Sequence, residues 1–512
     1  MNRSNRRPAD QSEVSGSDFL QLNIRDAPLG RRSDWLAQQL RLAIADRRLP
    51  IGSKLPATRV LAGELGVSRG VVTEAYQRLI EDGHAAGHGR NGTIVVAAPA
   101  APAEAPPTRP VAPPPPGALF GGEPGADIFD SMRATPARID LSPGMPHLSA
   151  FPRSAWLRAE RSALASLSAS DLGYGDPRGT PALRHAVANW LARNRSIRVD
   201  PHDLLIVAGT AQTLTLLGQV LRDHGISAVA VEDPGSLGAR QHLRNQRLDT
   251  PPVPVDSHGV RVDILRDVAA QAVLLTPAHQ FPTGVVLSGA RRRELMSWAR
   301  ANDGLIIEDD YDAEHRYDRP PVPALRSVLP EHVCYAGSVS KLLAPALRIG
   351  WVLAPPQYRD ALVAAKRFAD LGNAALPQQV LAQLMESGDM ERRLRLLRTR
   401  HRRRRDIMVD AIRTHLPDAE VHGAAAGLHL MISFDAEFAD TDLASAALAR
   451  GVKVQPLSWH SQLSPRPGLV LGYAASAPTA ISEGVAILGD VVRHLLRTAQ
   501  DTLRRQRRPR SG

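Results

Sequence analysis

Residues 337–355 read GSVSKLLAPALRIGWVLAP, and the apolar run VCYAG (333–337) leads into them. A short apolar run of this kind reads as a buried strand, and this one delivers Ser338 and Lys341 to its carboxyl end. Four other runs end in a similar way. LLIVA (204–208) leads into Gly209, Thr210, Ala211 and Gln212, and a helical stretch follows. AVAV (228–231) leads into Glu232, Asp233 and Pro234, AVLLT (272–276) into Pro277, and LIIE (305–308) into Asp309. Strands alternating with helices predict a parallel α/β sheet. Such sheets bind ligands beyond the carboxyl ends of their strands. Gly209–Gln212, Asp309, Ser338 and Lys341 are therefore expected to converge on one pocket.

The lysine carries weight because lysine is scarce. The chain has four lysines (Lys54, Lys341, Lys366 and Lys453) against 59 arginines. A helix N-terminus with Ser338 and Arg348 suits a phosphate. A lysine amine suits a Schiff base with an aldehyde, and a buried carboxylate suits a protonated pyridine nitrogen. Together they describe a site for pyridoxal 5′-phosphate. Singly each signal is weak, since a lysine at a strand end is ordinarily solvated and an aspartate there is ordinarily a cap or an ion-pair partner.

Order and spacing make the set specific. GYGDPRGTPALRHAVANWL (173–191), VEDPG (231–235), TPAHQFPTG (276–284), IIEDDYDAEHRY (306–317) and GSVSKLLAPALRIGWVLAP appear in sequence. The series resembles the fold-type I, PLP-dependent aminotransferase domain over nearly all of residues 138–495. The resemblance implies that Lys341 forms the Schiff base, Asp309 pairs with the pyridine nitrogen and Tyr311 hydrogen-bonds the ring hydroxyl. It implies that Ser338, Arg348 and the turn Thr210, Ala211, Gln212 hold the phosphate, with His279 near the ring. Two positions depart from the pattern. Ser236 stands where an aromatic usually stacks on the ring, and Val470 stands where an arginine usually grips a substrate carboxylate; Arg466 is near in sequence. Both departures weaken amino-acid chemistry more than cofactor binding.

A second, smaller domain precedes this one. Leu36, Leu40, Ala43 and Ile44 mark one face of a first helix. Thr58 is the expected N-cap of a short second helix that ends near Leu65, with Gly66 in the turn. Ser68 is expected to cap a third helix with Val72, Tyr76, Leu79 and Ile80 on its apolar face and Arg69, Thr73 and Gln77 opposite. HAAGHGRNGTIVV (84–96) reads as a hairpin with Arg90 and Asn91 at its tip. Three helices and a hairpin describe a winged helix-turn-helix, whose third helix would present Ser68 and Arg69 to a DNA groove. LPATRVLAGELGVSRGVVTEAYQRLIEDG (55–83) with RNGTIVV (90–96) is similar to the GntR-type winged-helix module. That resemblance implies phosphate contacts by Lys54 and Arg59, recognition-helix contacts by Ser68 and Arg69, and a wing glycine at Gly92. Winged helix, linker and aminotransferase-like domain together resemble the MocR subfamily of GntR regulators, described as PLP-binding transcription regulators that dimerise head to tail.

The expected fold is therefore multidomain, a small α+β winged helix followed by a large α/β fold-type I domain. Residues 1–27 are expected to be disordered, 28–98 to form the winged helix, 99–137 a Pro/Ala-rich linker, 138–500 the large domain and 501–512 a basic tail. The stretch APAAPAEAPPTRPVAPPPPG (98–117) is too rich in proline and alanine to build a core.

Composition agrees. Over 512 residues, 43% hydrophobic and 22% charged is ordinary for a soluble protein, and a net charge of +11 favours an anionic partner. Cys334 is the sole cysteine, which excludes an internal disulfide and fits a reducing cytoplasm. No membrane span and no metal site are expected. The run ERRLRLLRTRHRRRRD (391–406), with Leu394, Leu396 and Leu397, reads as a solvated or interface helix rather than a nucleic-acid patch. The expected function is a homodimeric, PLP-dependent regulator that binds double-stranded DNA and senses PLP or an amino-acid or amine effector. The rival is an active amino-acid aminotransferase with an accessory DNA-binding domain.

Overall fold

The computed structural model describes residues 22–28, 30–87, 92–98, 116–317, 322–463 and 466–506. The chain divides into two units, Met1–Ala112 and Pro113–Gly512.

In the first unit, α1 (Arg32–Ala45), α2 (Thr58–Leu65) and α3 (Arg69–Glu81) precede the antiparallel pair β1 (Ala85–Gly87) and β2 (Thr93–Val95). The helical period sets the core. Leu36, Leu40 and Ile44 of α1 meet Leu61 and Leu65 of α2 and Val72, Tyr76 and Leu79 of α3. Between α2 and α3, Gly66 takes the left-handed conformation (φ 63°), which closes the turn without a Cβ penalty. Thr58 is not the N-cap of α2; Ala57 is, and Thr58 Oγ1 instead accepts a hydrogen bond from Arg69 Nε at 3.2 Å. Ser68 is the N-cap of α3, but its hydroxyl makes no capping bond.

The second unit begins earlier than the linker reading allowed. Residues 116–137 are not spacer. They form α4 (Pro116–Phe120) and α5 (Ile128–Ala134), and Leu119, Phe120, Ile128 and Met132 are buried in the large unit's core. Four large apolar side chains within fourteen residues outweigh the Pro/Ala-rich composition that suggested a linker.

After the short strand β3 (Ile139–Asp140) come β4 (Leu205–Val207), β5 (Val229–Asp233), β6 (Pro252–Asp256), β7 (Gly259–Val260), β8 (Ala272–Leu275), β9 (Leu305–Asp310), β10 (Val333–Ser338) and β11 (Gly350–Leu353). These eight form one sheet in the order β4-β11-β10-β9-β8-β5-β6-β7. Alternate residues enter cores on opposite faces. Leu274, Ile307 and Cys334 belong to one, and Val273, Ile306 and Val333 to the other. The sheet is mixed rather than wholly parallel. β11 runs antiparallel to both β10 and β4, and β7 antiparallel to β6. The chain between β10 and β11 holds only a single turn of 3₁₀ helix, Pro345–Leu347, and lacks the helix a parallel crossover needs.

A smaller four-stranded antiparallel sheet follows, built from β12 (Ala419–His422), β13 (His429–Phe434), β15 (Gln455–Pro456) and β16 (Gly468–Gly472) in the order β12-β13-β16-β15. β14 (Val452–Lys453) pairs instead with β3, in parallel, with Lys453 opposite Asp140. The arginine-rich segment lies in the helix Asp389–His415. Leu394 and Leu397, three apart, are buried, whereas Leu396 is 64% exposed on the other side. Arg398 donates to Glu314 O, Arg404 to Ala474 O and Arg405 to Ala424 O, so this helix docks onto its own domain. Among the described residues no helix is long and apolar enough to cross a membrane.

Candidate functional site

The carboxyl ends of β4, β9 and β10 open onto a cavity of about 820 Å³, within the usual range for small-molecule sites. Thr210, Ala211, Asp309, Tyr311, Ser338, Lys341 and Arg348 line it. Gln212 and His279 do not.

The phosphate-type cup is set by local backbone constraints. Gly209 sits at φ 83° before the helix Thr210–Asp223, and a Cβ on Gly350 would come within 2.9 Å of Gly209 Cα. Two glycines thus let β11 and the turn meet. Thr210 and Ala211, the first two residues of the helix, line the cavity, and amides at that position have no intrahelical partner. Arg348 is held in the left-handed conformation (φ 50°), and its guanidinium donates to Ala208 O beside the turn. Gln212 faces elsewhere. Its Oε1 accepts from Ala208 N at 2.8 Å and Lys366 Nζ at 2.9 Å, and its Nε2 donates to Asp370 at 2.7 Å. Its assignment to phosphate contact is corrected accordingly: it braces the cup from behind.

Successive residues of β9 point to opposite faces. Asp310 faces away from the cavity and pairs with buried Arg195 at 2.5 Å and with the Tyr335 hydroxyl at 2.5 Å. Asp309 faces the cavity, where Thr210 Oγ1 donates to it at 3.4 Å. Among the described residues Asp309 makes no ion pair, and burial, reinforced by the charge of Asp310, pushes its pKa up to about 7 against the weaker pull of Lys341. Lys341 Nζ donates to Gly144 O, and burial lowers its amine pKa against the pull of Asp312 and Asp309. The Tyr311 hydroxyl donates to His279 O at 3.0 Å. His279 Nδ1 lies 3.1 Å from that hydroxyl and 3.0 Å from Asp312 Oδ2, so His279 positions Tyr311 from behind. These donors fit the implied cofactor. A buried carboxylate that makes no ion pair faces an amine and an anion cup across one cavity.

The two departures have local explanations. Ser236 caps the helix Leu237–Asn245, accepting from Ala239 N at 3.2 Å. Val470 packs with Met431, Leu457 and Phe281, while Arg466 is exposed beside Glu420. Three features escaped the sequence reading. Asp312 was hidden in the acidic run EDDYD, Phe129 of α5 in the presumed linker, and Lys453 stood out only by the rarity of lysine.

In the first unit, Lys54, Arg59, Ser68, Arg69 and Thr73 are all exposed. Lys54 bridges to Ile94, which places it against the wing, and a Cβ on Gly92 would meet its side chain at 2.9 Å. Thr73 Oγ1 donates to Arg69 O at 2.9 Å. Lys54, Arg59 and Arg69 make no ion pair among the described residues, whereas Arg41 and Arg78 are paired with Asp82 and Glu74. Arg90 lies outside the described residues.

Comparison with known proteins finds two family matches, aminotransferase class I and II over residues 139–463 and bacterial regulatory proteins, gntR family, over residues 32–95. The chain is 32% identical to the probable rhizopine catabolism regulatory protein MocR of Rhizobium meliloti, over 90% of this chain and 93% of that one. It is 30% identical to the HTH-type pyridoxine biosynthesis transcriptional regulator PdxR of Corynebacterium glutamicum, over 89% and 95%. Among solved structures, it is similar to the α-aminoadipate aminotransferase LysN of Thermus thermophilus, complexed with N-(5′-phosphopyridoxyl)-L-leucine. That match has a TM-score of 0.66 and 26% identity over 75% of this chain and 97% of that one. A multiple substrate aminotransferase of Thermococcus profundus matches with a TM-score of 0.67 and 26% identity, over 75% and 98%.

Proposed function

Because this chain belongs to the MocR- and PdxR-type regulators of the GntR family, with a class I and II aminotransferase domain following the winged helix, we propose that its cavity binds pyridoxal 5′-phosphate and that occupancy of the cavity by PLP or by an amino-acid or amine effector controls DNA binding. The chain is a DNA-binding transcription regulator. The observation that carries the cofactor reading is Asp309, a buried carboxylate without an ion pair, facing Lys341 across a cavity that Arg348 and the Thr210 turn close with positive charge.

When bound, the cofactor supplies an electrophilic aldehyde carbon and an electron-withdrawing ring. The chain's residues divide the remaining work. Arg348, Ser338 and the amides of Thr210 and Ala211 hold the phosphate. Asp309 takes the charge of the ring nitrogen's proton, which restores its own pKa toward the ordinary range. Tyr311, held by His279, orients the ring hydroxyl. Lys341 offers an amine that burial has already biased toward its neutral, nucleophilic form.

Val470, packed among apolar side chains, supports sensing over sustained amino-acid turnover. An effector acts by binding two states of the protein unequally. A homodimer would present two winged helices to a DNA site with two-fold symmetry. The test is a visible absorption titration of the purified chain with PLP beside a Lys341→Ala control. A new band that the control lacks is expected, together with a change in mobility shift on a bound duplex when PLP is added. No band at saturating PLP overturns the cofactor reading.

A further inference from the structure

The cavity extends beyond the cup, along the loop from Asp140 to Met145 and onto β14 and β15. Its cationic groups there can be sorted by elimination. Arg348 is bound to the Gly209 turn and Lys341 to Gly144 O. Arg133 of α5 is 67% exposed and is paired with Asp130. The three histidines of the wall are held neutral, since burial lowers His242 and pushes His429 and His460 down to about 3. Lys453 remains.

The Lys453 side chain is 6% exposed, yet it lines the cavity. Its one ionic partner among the described residues is Asp140 Oδ2 at 3.3 Å, set opposite it by the β3–β14 register. An ammonium carries three donors, so one partner leaves two without an acceptor. Such a group, buried at the wall of a cavity, is poised for an anion. Gln455, two residues on, also lines the cavity, while Val454 between them is buried in the core. Strand alternation thus aims Lys453 and Gln455 together at the open space. The loop that carries Asp140 continues to Gly144, whose carbonyl holds Lys341.

We infer that Lys453 is the carboxylate anchor of the effector site, so that the effector is a small amino acid whose amine lies toward Lys341 and whose carboxylate pairs with Lys453. This inference rests on the cofactor reading above. It is a claim about binding and requires no redox step.

The test uses two stable adducts on the full-length chain by titration calorimetry: N-(5′-phosphopyridoxyl)-L-alanine and N-(5′-phosphopyridoxyl)ethylamine, which differ by the carboxylate. The wild type is expected to prefer the alanine adduct by about tenfold or more, as a charge-assisted hydrogen bond implies. Lys453→Gln should reduce the preference to within about twofold and leave the ethylamine adduct unchanged, and Lys453→Arg should restore it. Asp140→Asn, at a half-exposed position, frees the ammonium and should widen the preference. This variant decides the matter if Lys453→Gln does not fold. Equal binding of both adducts to the wild type, a preference that survives Lys453→Gln, or no change in Asp140→Asn overturns the inference while the cofactor reading stands. Failure of the folded wild type to bind either adduct or PLP overturns both.

Discussion

Lys366 Nζ donates to Gln212 Oε1 at 2.9 Å, which ties the helix Pro356–Asp370 to the turn that begins the helix Thr210–Asp223. The same ammonium donates to Asp370 Oδ2 at 2.7 Å and Asn373 Oδ1 at 2.5 Å, and Asn373 Nδ2 donates to Arg348 O at 3.1 Å. One fully buried lysine therefore braces both halves of the anion cup, the Gly209 turn and the left-handed Arg348.

Lys366→Met should loosen both halves at once. PLP affinity is expected to fall about tenfold or more, with the visible band unmoved because Lys341 and Asp309 are untouched. Stability should drop by roughly 3 kcal/mol, the lower end for a broken buried pair because Asp370 is partly exposed. Spectrophotometric titration and urea unfolding check the two effects. Full affinity in the variant would remove Lys366 from the positioning of the cup.

Asp309 and Glu232 should contribute stability that the cofactor-free protein loses as pH rises from about 5 to 7.5, against the opposite contribution of buried histidines such as His429 and His460, whose pKa values burial lowers. Asp309 and Glu232 are both raised by burial to about 7 in the folded state. Unfolded carboxyls titrate near 4, so between these values the native state holds more protons, and raising pH withdraws that stabilisation. Asp309→Asn should remove the share of that loss due to Asp309, and PLP should raise the melting temperature more at pH 7.5 than at 5.5. Thermal unfolding across this range, with and without PLP, measures both. An Asp309→Asn profile that runs parallel to the wild type across this range would contradict the assignment.

Arg69→Ala and Lys54→Ala should weaken DNA binding in different ways. Arg69 stands at the start of α3, where base contacts are made, so its loss should cost about a hundredfold in affinity on a duplex selected from random sequences by the wild type. Lys54 lies beside the wing and should act on phosphate, so its loss should lower the salt slope by about one unit without changing sequence preference. Mobility shifts at several salt concentrations distinguish them. The PLP absorbance of both variants should match the wild type.

Arg404→Ala should destabilise the large domain and spare DNA binding. The Arg404 guanidinium donates to Ala474 O, so its loss should cost about 1–2 kcal/mol in urea unfolding. DNA affinity and its salt slope should stay within twofold. A large fall in DNA affinity with unchanged stability would restore the nucleic-acid reading of this helix.

What the sequence determined by itself were features set by local chemistry. The period of α1 and α3, the left-handed Gly66 and Gly209 turns, and the strand ends that carry Asp309, Ser338 and Lys341 follow from neighbours a few residues apart. The tertiary structure decided whatever depends on which face or which distant segment a residue meets. Asp309 and Asp310 are chemically alike, and only the pleat of β9 turns one to the cavity and the other to Arg195. Gln212 sits in the phosphate turn by sequence but is drawn back by Lys366, 154 residues away. Residues 116–137 look like spacer until Leu119, Phe120, Ile128 and Met132 find a core formed mostly by the chain's last third. Lys453 acquires meaning only because β14 lies beside β3, across some three hundred residues. Local propensity acts through bonds, whereas burial and pairing act through space, and a single sequence shows only the first directly.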